Sequence, residues 1–429
     1  MAKNSLPLTP SPIKFGTDGW RGVLGVDFTL EKLLQVAAAA SQELLYRSPS
    51  QNNSRQVIIG YDRRFLAPEM AEAIASAVRG CELEPLLTDS AVVTPSCSWA
   101  VVERKALGAL IITASHNPPE WLGLKIKGPL GGSVEGDFTR AVEKRLAVGG
   151  LSIPLKEACK QFDCRNEHLE ALKAKFDITA ILSGLKNLGL NVIVDPMHGS
   201  AAGCLKYLFN EKSNSILREI RTERDPLFGG NPPEPLVEYI SELIEEVKTS
   251  SLAGKPSLGI VFDGDGDRIA AVDENGRYCS TQLLMPLLID HLSKGSSISS
   301  YIAKTVSGCD LMTFVAESHG LKVLELPVGF KYIASEMLSK EVLIGGEESG
   351  GIGFGSHIPE RDALFTSLVL LEAIANSGKM LGQRIDELQN KFGEVHFDRI
   401  DLSLENMEIR NKLEIFLQKT PPKKILDKS

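Results

Sequence analysis

Val57 to Asp62, Val192 to Asp195 and Leu258 to Asp263 are short apolar runs, each closing on an aspartate that glycine or basic residues soon follow. Runs of this length bounded by turn formers predict buried strands. Between them lie segments with apolar residues at helical spacing: Leu30 to Leu45, Glu69 to Val78, Val237 to Val247 and Gln282 to Leu292. Strand alternating with helix predicts α/β domains with mixed, largely parallel sheets. In such sheets ligands bind beyond the carboxyl ends of the strands, so the residues just after each run are the place to look for chemistry. Two further runs lead into loops of the same kind, Ala109 to Ile112 into Ser115, and Val342 to Ile344 into Gly345-Gly346-Glu347-Glu348-Ser349-Gly350-Gly351. Five loops could then face one cleft. The recurring pattern suggests duplicated units, although the similarity is too short to establish a repeat from sequence.

A chain of 429 residues exceeds what one hydrophobic core supports, and about three domains are expected. Composition loosens near Gly149-Gly150, Gly254-Lys255-Pro256 and Lys391-Phe392-Gly393, which gives domains at 1–150, 151–255 and 256–393, with the metal loop described below opening the third. Residues 394–429 are too few for a domain. Seven cysteines (Cys81, Cys97, Cys159, Cys164, Cys204, Cys279 and Cys309) show no Cys-x-x-Cys spacing, so neither structural zinc nor a disulfide framework is supported. Met1 to Pro12 is polar, with no apolar signal core, and no stretch is apolar enough for a membrane span, so a reduced, cytoplasmic protein is expected. The net charge of -8 weighs against nonspecific nucleic-acid binding.

Asp263, Asp265 and Asp267 alternate with glycines straight after an apolar run. Alternation turns the carboxylates toward one side, and Gly264 and Gly266 let the backbone curl around a small cation. Ligands that are all oxygen select Mg²⁺ or a similar hard ion; a solvated acidic turn is the bland reading, but carboxylates this close repel without a cation. An EF-hand is excluded because Arg268 stands where that loop requires glycine, and a strand rather than a helix leads in.

Ser115 follows Leu110-Ile111-Ile112 and precedes His116-Asn117-Pro118-Pro119, which forces a turn and leaves the hydroxyl at the sheet's carboxyl edge. The flanking Thr113 and Asn117 rule out the Gly-x-Ser-x-Gly elbow of hydrolases. What remains is a serine that carries a phosphoryl group. His116 is placed to orient that group or to be structural. Lys125 is read as a proton shuttle if desolvation lowers its pKa, and otherwise as charge that neutralises phosphate. Phe15-Gly16-Thr17-Asp18-Gly19-Trp20-Arg21-Gly22 lacks the spacing of a nucleotide P-loop, and with Arg21 it makes a wall of the same site. Glu347 and Ser349 offer an acceptor and a donor for vicinal sugar hydroxyls. Lys331, His357 and Arg361 add groups for a phosphate or a sugar edge, as does Arg268 beside the aspartates.

On these residues the chain resembles the α-D-phosphohexomutases, the phosphoglucomutases and phosphomannomutases. Thr113 to Pro118 is similar to the family's phosphoserine loop, Asp263 to Arg268 to its Mg²⁺ loop and Gly346 to Gly351 to its sugar loop, and the likeness runs from Phe15 to about Asp362. The resemblance implies four α/β domains around a central cleft, of which residues 394–429 would be a fragment of the fourth. It implies that phosphoserine 115 and one Mg²⁺ held by Ser115, Asp263, Asp265 and Asp267 interconvert hexose 1-phosphates and 6-phosphates, with hexose 1,6-bisphosphate as intermediate and activator. Arg21, His116 and Lys125 would be catalytic. Partners would be small hexose phosphates, with neither nucleic acid nor membrane, in a monomer or homodimer.

Three departures bear on these expectations. The family's Asn-Gly-aromatic-Lys reads Leu122-Gly123-Leu124-Lys125, which keeps the lysine. The sugar loop ends in Gly351, where mannose-tolerant members have histidine, and His357 to Asp362 resembles the phosphoglucomutase pattern, favouring glucose with mannose tolerated. The family's Arg-x-Ser-Gly-Thr-Glu-Pro phosphate loop is not found, and His396 to about Phe416 resembles only the first strand and helix of its domain, so a shortened fourth domain with impaired activity is expected. The alternatives are a silent sugar-phosphate-binding protein and a phosphoglucosamine mutase; the second is disfavoured by Thr113 and Gly351.

Overall fold

A computed structural model describes residues 13–48, 54–148, 159–210, 216–294, 300–397 and 407–420. The chain through Val395 forms one compact body, and the chain from His396 forms another. In the body from His396 the described helix is Met407–Lys419. The strand expected just before it falls largely on 398–406, outside the described residues.

The body through Val395 holds a six-stranded, a five-stranded and a four-stranded sheet, each the centre of one α/β unit, the first, second and third in chain order. The first contains β1 (Trp20–Val23), β2 (Gln56–Tyr61), β3 (Glu84–Thr88), β4 (Gly108–Ile112), β5 (Trp121–Lys127) and β6 (Lys160–Phe162), in the order β1-β5-β4-β2-β3-β6. The second contains β7 (Asn191–Asp195), β8 (Leu217–Glu219), β9 (Ser257–Phe262), β10 (Ile269–Val272) and β11 (Tyr278–Cys279), in the order β11-β10-β9-β7-β8. The third contains β12 (Tyr301–Thr305), β13 (Lys322–Leu326), β14 (Val342–Gly346) and β15 (Ile352–Phe354), in the order β13-β12-β14-β15.

One pattern recurs in all three sheets. A central strand (β2, β7, β12) pairs in parallel with the next two strands of the chain, and the second of these (β4, β9, β14) turns back into an antiparallel partner (β5, β10, β15). The duplicated units suggested by the sequence are therefore present as topology. Each unit places a loop at the hairpin between its last parallel and first antiparallel strand: Thr113 to Glu120, Asp263 to Arg268, and Glu347 to Gly351.

Local sequence explains the elements. The parallel strands read Val-Ile-Ile, Val-Ile-Val and Leu-Gly-Ile-Val because helices cover both faces; β4 and β9 are buried throughout. The helix Leu30–Arg47 starts where the Thr29 hydroxyl accepts from Lys32 N, and its alanine-rich face packs into the first core. The helix Ala363–Ser377 starts at Asp362, whose carboxylate accepts from Phe365 N at 3.0 Å, and ends at Gly378 with φ of 65°. One apolar core runs continuously through the second and third units, from Leu169 to Leu388.

The structure corrects two boundaries. β9, β10 and β11 pair within the second sheet, so the metal loop belongs to the second unit and not to the start of a third at 256. The Gly254-Lys255-Pro256 turn that suggested a boundary only reverses the chain into β9, which pairs in parallel with the edge of β7. Similarly, β6 lies beyond residue 150 yet extends the first sheet at β3, while Gly149-Gly150 lies outside the described residues. The helix expected over Val237 to Val247 is broken: a 3₁₀ turn at Val237–Tyr239 gives way at Ile240, with φ of -118°, to the helix Ser241–Leu252.

Candidate active site

The three hairpin loops meet. Thr94 N donates to Asp265 O at 2.8 Å, Ser200 N to Gly264 O at 3.0 Å and Ile269 N to Gly350 O at 3.0 Å, while Arg268 and Gly351 form an antiparallel bridge between the second and third loops. Gly264 permits the closest approach, since a Cβ there would lie 2.7 Å from Ser115 O.

Ser115 adopts φ of 52°, unusual for a residue with a side chain. Arg64 holds it there. Its Nη2 donates to Ser115 O at 2.7 Å and to Asn117 O at 2.6 Å, and its Nη1 to Pro118 O at 2.8 Å and Trp121 O at 3.1 Å. Asp62 supports both partners, pairing with Arg64 Nε at 3.3 Å and accepting from the Thr113 hydroxyl at 2.6 Å; Thr113 Oγ1 in turn accepts from Ser115 N at 2.8 Å. Burial pushes the Asp62 carboxyl up to about 6, against the pull of Arg64 and Thr113.

The Ser115 hydroxyl donates to Asp263 Oδ2 at 2.8 Å and lies 3.4 Å from His116 Nδ1. Burial, together with Arg268 and Arg21, holds the His116 pKa well below the usual histidine range. Arg21 Nη1 donates to Asn117 Oδ1 at 2.7 Å, tying β1 to the serine loop.

Asp263, Asp265 and Asp267 are fully buried, with one oxygen of each within 4.8 Å of the others. Asp263 Oδ1 accepts from Asp267 N at 3.0 Å and Arg268 N at 3.1 Å, which curls the loop inward. Asp265 Oδ1 and Asp267 Oδ1 have no hydrogen-bond partner although buried. Orphaned anionic oxygens at zero exposure are costly, and a divalent cation satisfies them. The oxygen-only donor set fits Mg²⁺. Burial and the two neighbouring aspartates push the Asp263 carboxyl above its ordinary range, the strain that a bound cation relieves.

Lys125 departs from expectation. Its Nζ lies 2.7 Å from both Asp265 Oδ2 and Asp267 Oδ2, and 2.9 Å from Asp18 Oδ2. Burial alone would lower its pKa, but Asp18, Asp265 and Asp267 outweigh it and hold the ammonium above its ordinary value. Asp18, which sequence reasoning did not single out, is a hub: besides Lys125 it takes Arg361 Nη2 at 2.5 Å and Lys127 Nζ at 3.3 Å. Its only signal was its place in a glycine-rich segment. Arg64 was likewise missed, flagged only by following a strand-ending acid.

Of the residues expected to bind sugar, the structure brings some to this cluster and not others. Arg361 reaches Asp267 Oδ2 at 2.8 Å and lies 3.8 Å from Glu347 Oε2. Glu347 accepts from Gly329 N at 3.0 Å, so that turn and the third hairpin loop are joined. Arg268 Nε is 3.9 Å from Asp267 Oδ1, and Ser349 is half-buried on the third hairpin loop. Lys331 instead lies 5.1 Å over the Tyr332 ring and lines an apolar cavity of about 240 Å³ with Phe138 and Leu338. His357 turns to Asp362, with Nε2 2.9 Å from its Oδ2, and stacks on Phe365 and His168.

A buried serine against three convergent carboxylates, ringed by arginines and a lysine, defines a site for phosphoryl transfer. The comparisons carry the same sense. Residues 12–149, 166–276 and 281–392 match the models for domains I, II and III of phosphoglucomutase/phosphomannomutase. A phosphoglucomutase/phosphomannomutase of Thermococcus kodakarensis is 30% identical over 87% of this chain and 80% of its own. A phosphoglucosamine mutase of Limosilactobacillus reuteri is 29% identical over 87% and 81%. A Thermus thermophilus structure assigned as a phosphomannomutase superposes with a TM-score of 0.79 at 35% identity, covering 89% of this chain and 84% of that one. The chain belongs to the phosphoglucomutase/phosphomannomutase family, the α-D-phosphohexomutases.

Proposed function

We propose that this chain is a phosphohexomutase that interconverts hexose 1-phosphate and hexose 6-phosphate through phosphoserine 115, with glucose preferred and mannose tolerated. The observation that carries the reading is the Ser115 hydroxyl, 2.8 Å from Asp263 beside two carboxylate oxygens that lack partners. Asp263, Asp265 and Asp267, with an oxygen of the phosphoserine, would hold one Mg²⁺, which when bound neutralises charge on the group in transfer.

The phosphoryl group leaves Ser115 Oγ for the free hydroxyl of the hexose monophosphate, giving hexose 1,6-bisphosphate and a free serine. The bisphosphate turns over in the cleft, and its other phosphate returns to Ser115. Each transfer moves one proton from the attacking hydroxyl to a base; Lys125 and His116 are the nitrogen groups of the cluster, and comparing Lys125→Met with His116→Gln separates them. Arg21, Arg268 and Arg361 supply positive charge around the phosphates, and Glu347 with Ser349 orients the sugar hydroxyls. Traces of hexose 1,6-bisphosphate would prime Ser115.

The test is conversion of glucose 1-phosphate to glucose 6-phosphate with Mg²⁺ and trace glucose 1,6-bisphosphate, beside Ser115→Ala. Turnover that vanishes in the variant is expected; no turnover by folded wild-type chain would leave a sugar-phosphate-binding protein. The phosphoglucosamine mutase relatives favour a second reading, which predicts faster turnover of glucosamine 6-phosphate than of glucose 6-phosphate.

A further inference from the structure

We propose that His168, His357 and Asp362 form a second metal site, for zinc or a similar borderline ion, that clamps the second unit of the fold to the third. His168 lies on the helix Cys164–Lys175, ahead of the second sheet, His357 on the turn after β15, and Asp362 caps the helix Ala363–Ser377. One donor atom of each falls within 4.8 Å of the others. The side chains are 0%, 2% and 0% exposed, respectively.

The donors satisfy one another only in part. Asp362 Oδ2 faces His357 Nε2 at 2.9 Å and His168 Nε2 at 3.2 Å, yet His168 Nε2 forms no hydrogen bond although fully buried. His168 Nδ1 is 2.9 Å from the Ser96 hydroxyl of the helix Thr94–Glu103. In the tautomer that donates Nδ1–H to Ser96, the Nε2 lone pair faces a carboxylate oxygen, an arrangement that a cation resolves. Ser96 then fixes the ring tautomer from outside the ligand shell, as supporting groups do around ligating histidines. Asp362 Oδ1 is similarly fixed by Phe365 N at 3.0 Å.

Two imidazoles and one carboxylate suit zinc better than Mg²⁺, which takes oxygen. Tetrahedral zinc with bonds of about 2.1 Å sets its ligand atoms about 3.4 Å apart, so the 2.9 Å and 3.2 Å spacings need to open by about 0.5 Å and 0.2 Å. A metal on His357 Nε2 moves that ring's proton to Nδ1. Lys175 Nζ, now 3.3 Å from Nδ1, must then turn away, and it already donates to Ser356 O at 3.0 Å. The fourth position falls to water.

The full chain, stripped with chelator and dialysed against zinc in excess Mg²⁺, should retain one zinc ion. Asp263→Asn, which disables the aspartate cluster, should retain it equally, and His168→Gln should lose it. A zinc-free Asp263→Asn chain, or a His168→Gln chain that binds as wild type does, overturns the proposal. Should His168→Gln fail to fold, X-ray absorption on zinc-loaded Asp263→Asn decides: a shell with two imidazoles is expected, and an oxygen-only shell contradicts the site.

Discussion

Arg64 shows how much one side chain must do to keep a reactive serine at the edge of a sheet. It donates to four carbonyls of the serine loop and is itself fully buried against Asp62. A lysine carries charge but has no planar fork, so Arg64→Lys should lower kcat/KM by about 10²-fold through misplacement of Ser115. Rates within a factor of about two of wild type would show that the loop holds itself. Glu43 illustrates an electrostatic contribution with a defined sign. It is buried between Arg47, 2.7 Å from Nε, and Arg145, 2.7 Å from Nη2, and despite burial these bonds hold its carboxyl below the ordinary value of 4.5. Its stabilisation is therefore complete above 4.5 and is lost as pH falls through the lower folded value. Because both arginines are about a third exposed, Glu43→Gln should cost only about 1 kcal/mol at pH 7, read by urea unfolding, with the gap to wild type closing in acid. Ser115 and the aspartates were legible in the sequence because their pattern is local. Arg64 and Asp18 were not, because Arg64's carbonyl partners lie 51 to 57 residues away and Asp18's partners include Lys127 at 109 and Arg361 at 343 residues, and nothing nearby marks the bonds.

At the scale of elements, the hairpin is the functional unit. The turn from a parallel to an antiparallel strand exposes a loop at the carboxyl edge, and each loop touches another through backbone. Gly264 is the tightest of these contacts, with no room for a methyl between the metal loop and Ser115 O or Pro233. Gly264→Ala should accordingly raise the Mg²⁺ concentration needed for half-maximal turnover by about tenfold, since a shift of a few tenths of an ångström separates Ser115 from Asp263. An unchanged Mg²⁺ dependence would mean that the loops are not held in register. The strands were legible as apolar runs, but their assignment to sheets was not: a glycine-proline turn before β9 reads as a linker, whereas β9 pairs with β7, a strand far away in sequence. The 3₁₀ turn before Ser241–Leu252 was not legible either, since helical periodicity carries across the break at Ile240.

At the scale of the molecule, three copies of one β-unit bring three loops to one place, and the polar groups divide among them: Ser115 from the first, Asp263, Asp265 and Asp267 from the second, Glu347 and Ser349 from the third. Arg361 and Asp18 stitch the first and third units across the aspartates. Electrostatic balance at this junction depends on several buried opposite charges, so Arg361→Met should reduce kcat/KM by at least about 10²-fold while the first sheet's own core stays folded. A loss of activity that only follows unfolding of that core would assign the residue to structure alone. The central claim is that Ser115 carries the phosphoryl group. Its most direct test is peptide mapping by mass spectrometry after incubation of the full chain with glucose 1,6-bisphosphate and Mg²⁺. One phosphate on Ser115, discharged when glucose 6-phosphate is added, is the predicted result; an unmodified Ser115, or phosphate on another residue, would contradict it.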